Sequence, residues 1–173
     1  DKNVELILRA TALVAQEAQV QTVIVGKGRD EAEFKSLAHK LGLGDSVVFT
    51  GFVPDDDLPY LYNISHIYIG AGAAELQGIA VMEAMATGLP VLAANAVALP
   101  ELVKEGENGY LFTLAPADLA DKMRMMLSQP ESWQGMGEKS LAYIQVHDTL
   151  NALSQLEDLY REVIRSASNV SIV

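Results

Sequence analysis

Cysteine is absent from this sequence, which excludes disulfide bonds and thiolate metal sites. Basic residues are scarce: 12 Lys and Arg stand against 23 Asp and Glu, a formal charge of -11. The long-range field of such a chain repels phosphate backbones and anionic lipid surfaces, so nucleic acid is not an expected partner. No apolar run approaches the roughly 20 residues that span a bilayer, so no transmembrane segment is expected. No charged-then-apolar leader precedes the first helical pattern, and with the lack of cysteine this gives a cytoplasmic expectation. Membrane contact, if any, is expected to be peripheral and to belong to another domain. Low-complexity linkers and internal repeats are also lacking, so residues 1–173 are expected to form one domain.

Half of the residues are hydrophobic, enough for a substantial core at this length. Val4, Ile7, Leu8, Thr11 and Ala15 recur at helical spacing over 4–18. The period then changes. Short runs rich in valine and isoleucine at 22–25, 47–50, 67–69, 91–93 and 110–112 read as strands. Between and after them, 31–41, 55–62, 79–87, 99–104, 116–127, 131–143 and 148–165 read as helices, with Gly42, Gly44 and Gly88 as stop signals. Strands alternating with helices predict an α/β fold, a doubly wound Rossmann-like parallel sheet with helices on both faces. Such a domain opens with a strand, whereas this sequence opens on a helical pattern, so the first strand of the sheet is expected to be lacking. The terminal run Asn169-Val170-Ser171-Ile172-Val173 has strand composition and is a candidate to fill that place, within the chain or across a strand-swapped dimer; the alternative is a tail.

In a doubly wound sheet, ligands bind at the carboxyl ends of the strands, so the loops at 26–31, 51–57, 70–78 and 94–100 are expected to share one rim. The stretch Gly70-Ala71-Gly72-Ala73-Ala74-Glu75-Leu76-Gln77-Gly78 starts without bulky side chains and runs into a helix. Unpaired N–H groups of Gly78, Ile79 and Ala80 at that helix start suit a phosphate, although a simple tight turn explains the spacing equally well. Glu75 precedes the helix and Glu83 lies within it, among Ala80, Val81, Met82, Ala84, Met85 and Ala86. A carboxylate buried in that company needs a donor. Ribose hydroxyls would supply one for Glu83 and sugar hydroxyls for Glu75, while the alternative for Glu83 is a cap on a neighbouring loop.

Three other patterns invite different chemistry. Gly26-Lys27-Gly28 follows a strand like the start of a dinucleotide fingerprint, but Glu31 stands where the third glycine belongs. Asp55-Asp56-Asp57 open a helix, where carboxylates cap N–H groups and favour the dipole, a simpler reading than a metal. His39, His66 and His147 show no ligand spacing, and Met123, Met125 and Met126 read as packing residues.

The segment Glu75-Leu76-Gln77-Gly78-Ile79-Ala80-Val81-Met82-Glu83-Ala84-Met85-Ala86-Thr87-Gly88-Leu89-Pro90-Val91 resembles the signature of the large group of retaining GT-B glycosyltransferases, group 1 or family 4. The resemblance extends through Val25-Gly26-Lys27-Gly28, Phe49-Thr50-Gly51-Phe52-Val53, Leu99-Pro100-Glu101-Leu102-Val103 and Gly106-Glu107-Asn108-Gly109-Tyr110-Leu111-Phe112, covering residues 2 to about 128. It implies the C-terminal, nucleotide-sugar-binding half of such an enzyme, with the acceptor-binding N-terminal domain outside the sequence. The implied catalytic pair is Lys2, which neutralises the leaving diphosphate, and Glu75, which contacts the donor sugar; a solvated Lys2 is the alternative. The implied donor-binding set is Gly26 and Gly28, Val53 at the base through its backbone, Gly78, Ile79 and Ala80 at the diphosphate, and Glu83 at the ribose.

No metal and no cofactor besides the donor sugar nucleotide is implied; UDP-sugars are favoured, with GDP-sugars as an alternative. The arginine that precedes the lysine in the family is lacking, as is its strand. Ala96-Val97-Ala98 replaces a glycine pair usual before Pro100. Gln77 and the alanine-rich run resemble the lipid-glucosylating members. The expected function is hexose transfer with retention, UDP-glucose being a representative donor, with the isolated chain expected to be inactive. The alternatives are a non-catalytic nucleotide-binding module and an epimerase-like or phosphorylase-like protein.

Overall fold

A computed structural model describes residues 2–168. The chain enters at α1 (Val4–Val14) and passes through β1 (Thr22–Val25), α2 (Glu31–Lys40), β2 (Val47–Gly51), α3 (Leu58–Ile64) and β3 (Tyr68–Gly70). It continues through α4 (Ile79–Ala86), β4 (Val91–Ala94), α5 (Leu99–Leu102), β5 (Gly109–Phe112), α6 (Pro116–Leu127), α7 (Trp133–Ile144) and α8 (Thr149–Ser168). All strand pairs are parallel: Thr22 aligns with Val47 between β1 and β2, Tyr68 with Val91 between β3 and β4, and Val91 with Gly109 between β4 and β5. All four residues of β4 are fully buried. Because successive side chains of a strand point to opposite faces, this requires cover on both faces, as the doubly wound architecture predicts.

The helices supply that cover. Leu6, Ile7, Ala10 and Val14 of α1 join Leu119, Ala120, Met123 and Met126 of α6 in the main core, with Val81 and Met85 of α4. A smaller cluster of Leu8, Ala38, Leu43 and Val47 ties α1 to α2 and β2. The expected boundaries shift where capping chemistry differs from composition. Residues 55–57 form a turn, and α3 begins only at Leu58, with Pro59 in its first turn. The expected capping by the aspartates is corrected in one respect: no side chain caps α3, and the carbonyl of Pro54 accepts from the N–H groups of Asp57 and Leu58. The negative charges retain only their favourable position at the positive end of the helix.

One sheet was expected, and two hydrogen-bonded sheets are found, β2-β1 and β3-β4-β5. A cleft of about 1150 Å³ separates them, lined by Val23 and Val25 on one side and Ile67 and Ile69 on the other. It lies where the doubly wound order places a first, central strand. Among the described residues the edges of β1 and β3 that face this cleft have no strand partner. This is why Val23 and Val25 remain 38% and 43% exposed despite their apolar character. The run 169–173, a candidate for that place, lies outside the described residues. Asn3, in a left-handed conformation, donates from Nδ2 to the carbonyl of Ala71 at 2.8 Å and so pins the start of α1 to the loop after β3.

Two positions give stability predictions. Asn108 is fully buried; its Oδ1 accepts from the N–H of Lys104 at 2.7 Å and its Nδ2 donates to the carbonyl of Leu102 at 3.1 Å, closing the turn between α5 and β5. Asn108→Ala strands both backbone groups and is expected to cost about 2 kcal/mol, a drop of roughly 4–8 °C in a thermal melt. Val97 has φ 49° and ψ-compatible left-handed backbone is rare for a β-branched residue, while its side chain is 57% exposed and contributes little packing. Val97→Asn keeps a side chain that tolerates this region, and the melt is expected to rise by roughly 2–4 °C, equivalent to about 1 kcal/mol.

Candidate functional site

The carboxyl ends of β1, β2, β3 and β4 deliver their loops to one rim above the cleft. Lys2, Gly26, Val53, Glu75, Gly78, Ala80 and Glu83 all line it. Gly28 and Ile79 do not: Gly28 lies on the exposed loop beyond Gly26, and the Ile79 side chain is turned outward and 55% exposed.

The start of α4 is set by close packing. Gly78, its N-cap, has φ 68°, and a Cβ there would stand 2.8 Å from Leu102 Cδ1 and 3.1 Å from Leu99 Cδ2. Glycine therefore lets the first turn of α4 settle against α5. No side chain caps this terminus, so the N–H groups of its first turn, which have no partner inside the helix, remain available to an anion.

The two expected catalytic side chains meet. Lys2 Nζ donates to Glu75 Oε2 at 2.5 Å, with the lysine 63% and the glutamate 26% exposed. The backbone carbonyl of Glu75 accepts from the N–H of Ala98 at 3.3 Å, which joins the loop after β3 to the loop after β4. Glu83 corrects the expectation of a buried carboxylate: it is exposed, projecting from the second turn of α4 into the mouth of the cleft. Burial thus imposes no need for a donor, yet it has one, the hydroxyl of Tyr62 at 3.0 Å from Oε2.

Two tyrosines complete the wall. The rings of Tyr62 and Tyr68 lie 6.0 Å apart at 58°. Burial, followed by the negative charges of Glu75 and Glu83, pushes the Tyr68 hydroxyl up to about 12. Burial, then Tyr68, then the hydrogen bond and charge of Glu83 push Tyr62 well above the usual tyrosine range. Both phenols therefore stay neutral donors at physiological pH and add no negative charge beside the carboxylates.

Sequence reasoning missed Tyr62, Tyr68 and Asn3. The partners of Tyr62 and Asn3 lie 21 and 68 residues away in the chain, so no spacing rule links Tyr62 to Glu83 or Asn3 to Ala71. Of the remaining candidates, Met125 departs from the packing role expected of it. His39, His66 and His147 are on the surface, Met123 and Met126 are buried in the core, and Met125 is exposed. Among the described residues no group of three or more His, Asp or Glu side chains gathers as for a metal ion, and no helix is long and apolar enough to cross a membrane.

Comparison with known proteins places this geometry. The family model for glycosyl transferases group 1 matches residues 1–142. Among curated proteins the chain is similar to N-acetyl-alpha-D-glucosaminyl L-malate synthase of Bacillus anthracis, at 27% identity over 99% of this chain and 45% of that protein. Among solved structures it is similar to HepE of Anabaena in complex with UDP, with TM-score 0.84 and 26% identity over 93% of this chain and 45% of that one. It is also similar to the catalytic domain of cholesterol-alpha-glucosyltransferase from Helicobacter pylori, with TM-score 0.76 and 26% identity over 85% of this chain and 91% of that one. The chain thus spans less than half the length of the malate synthase and of HepE. With the signature from Glu75 to Val91 folded as the loop and helix that edge the cleft, the chain belongs to the group 1 glycosyl transferases, in the nucleotide-sugar-binding half of their GT-B fold.

Proposed function

We propose that the chain is the donor-binding half of a retaining hexosyltransferase that takes a nucleotide diphosphate sugar, a UDP-sugar by preference, with the acceptor bound by a domain outside this sequence. The observation that carries the reading is the convergence of Lys2, Glu75, the α4 N-terminus and Glu83 on the rim of one cleft. The complexes of HepE with UDP and with UDP-glucose support the choice of nucleotide.

The spacing along α4 divides the donor among these groups. Its first turn offers N–H groups and the positive end of the helix dipole to the diphosphate. Glu83, one turn further along the helix, reaches the ribose hydroxyls. The backbone of Val53 across the cleft faces the base, with Gly26 beside it leaving room, and Gly28 stands too far out to take part. Glu75 takes the sugar hydroxyls. Transfer breaks the bond between the anomeric carbon and the diphosphate oxygen, leaving the bonding electron pair on that oxygen. Lys2 and the α4 N-terminus stabilise that charge, an electrostatic contribution made where charge develops. The new glycosidic bond forms on the face the diphosphate left, and the acceptor hydroxyl passes its proton to the departing diphosphate oxygen.

In the ligand-free chain Lys2 is held by Glu75. A bound donor has to draw the ammonium from the carboxylate to the diphosphate, which frees Glu75 to accept from sugar hydroxyls. This exchange makes the two side chains a coupled pair rather than separate contacts.

Two outcomes follow for calorimetric titration. Glu83→Ala is expected to weaken UDP binding about tenfold, the order of a lost hydrogen bond to a charged group. Glu75→Ala is expected to leave UDP within about twofold of the parent while removing most of the added affinity that a UDP-hexose shows over UDP. Equal losses for UDP and UDP-hexose in both variants contradict this division. The chain alone is expected to transfer no sugar to any acceptor offered, and robust transfer by residues 1–173 would refute the half-enzyme reading.

A further inference from the structure

Glu83 is poorly placed to hold its own orientation. It is exposed, and its neighbours along α4, Ala80, Val81, Met82, Ala84, Met85 and Ala86, have no side-chain hydrogen-bond donor. A free glutamate samples many rotamers and presents its two oxygens in a changing plane. Two adjacent hydroxyls on a sugar ring are matched only by a carboxylate whose plane is fixed, because its oxygens carry about four acceptor directions.

The group that fixes this plane comes from a different helix. Tyr62 lies in the second turn of α3, and its hydroxyl donates to Oε2 of Glu83 at 3.0 Å, which occupies one of the acceptor positions of a carboxylate that lines the cleft. The Tyr62 ring is itself held against Tyr68 of β3. Burial and the neighbouring carboxylate keep the phenol protonated, so the donor persists at physiological pH.

We propose that Tyr62 is a positioning residue that orients Glu83, so that the Tyr62–Glu83 pair, rather than Glu83 alone, sets the selectivity of the site for a ribose bearing both its hydroxyls. This rests on the assignment of Glu83 to the ribose. The pair makes α3 part of donor recognition without touching the donor. It also predicts that the cost of losing Tyr62 depends on the ribose: a ligand without the vicinal hydroxyls gains nothing from an oriented carboxylate.

The test is calorimetric titration of UDP and 2′,3′-dideoxy-UDP into the parent chain, Tyr62→Phe, Glu83→Ala and the double variant. Tyr62→Phe keeps the ring against Tyr68, and a thermal melt reports whether the fold is retained. The parent is expected to bind UDP about tenfold tighter than the dideoxy analogue. Tyr62→Phe is expected to reduce that ratio at least threefold through weaker UDP binding, with the analogue bound as by the parent. In the Glu83→Ala background the same substitution is expected to leave the ratio unchanged. A Tyr62→Phe ratio equal to that of the parent overturns the positioning role and leaves Glu83 at the ribose. Equal weakening of both ligands also overturns it, as the mark of a merely structural tyrosine. If Tyr62→Phe fails to fold, the comparison moves to Tyr62→Leu, which also lacks the donor: a ratio reduced at least threefold with the analogue bound as by the parent supports the proposal, and a ratio like that of the parent overturns it. A parent that does not discriminate overturns the ribose assignment, and the proposal with it.

Discussion

The close approach of α4 to β3 and α5 governs the rest of the site. A Cβ on Gly70 would stand 2.9 Å from Val81 Cγ2, and one on Gly78 would meet Leu102 and Leu99 at comparable distances. The atoms met are side chains, so a bulkier residue at either glycine forces those side chains or α4 itself to shift. The two contacts fix where the α4 N-terminus points and how far Glu83, five residues beyond Gly78, projects over the cleft. A helix set even one side chain further out would present its first-turn N–H groups to solvent rather than to the rim.

The electrostatics of the rim run against those of the molecule. The chain carries a formal charge of -11, yet the groups that would meet a diphosphate are an ammonium and a helix N-terminus. At physiological ionic strength exposed charges further away than about 8 Å are largely screened, so the local groups decide binding and the distant acidic surface mainly slows the approach of anions. The Lys2–Glu75 contact offsets one carboxylate of the rim and leaves Glu83 paired only with a neutral phenol. The two tyrosines, held in their neutral form, keep further negative charge away from the same place.

The loop after β4 shows how a local departure from a family pattern is absorbed. Glycines are usual before Pro100, and here Val97 adopts φ 49°, in the region glycine enters freely. The backbone shape is kept at a cost in conformational energy. The bond from Ala98 N–H to the carbonyl of Glu75 shows what that shape holds: the loop that carries Glu75 on the rim of the cleft.

The alternation of β-branched runs with helical periods determined the α/β class and the order of elements, because periodicities of 2 and 3.6 are properties of the local chain. It also placed Glu75 in the loop before α4 and Glu83 within that helix, since the two lie in one short stretch of chain. The tertiary structure decided what no local pattern carries. It separated the strands into two sheets around a cleft, because pairing depends on which edges find a partner across the fold. It left Glu83 exposed rather than buried, since Val81, Ala84 and Met85 form the buried side of α4 and Glu83 shares the other side with the exposed Ile79 and Ala86. It brought Tyr62 to Glu83 and Lys2 to Glu75 over separations of 21 and 73 residues, contacts that exist only once α1, α3 and α4 are packed against their strands.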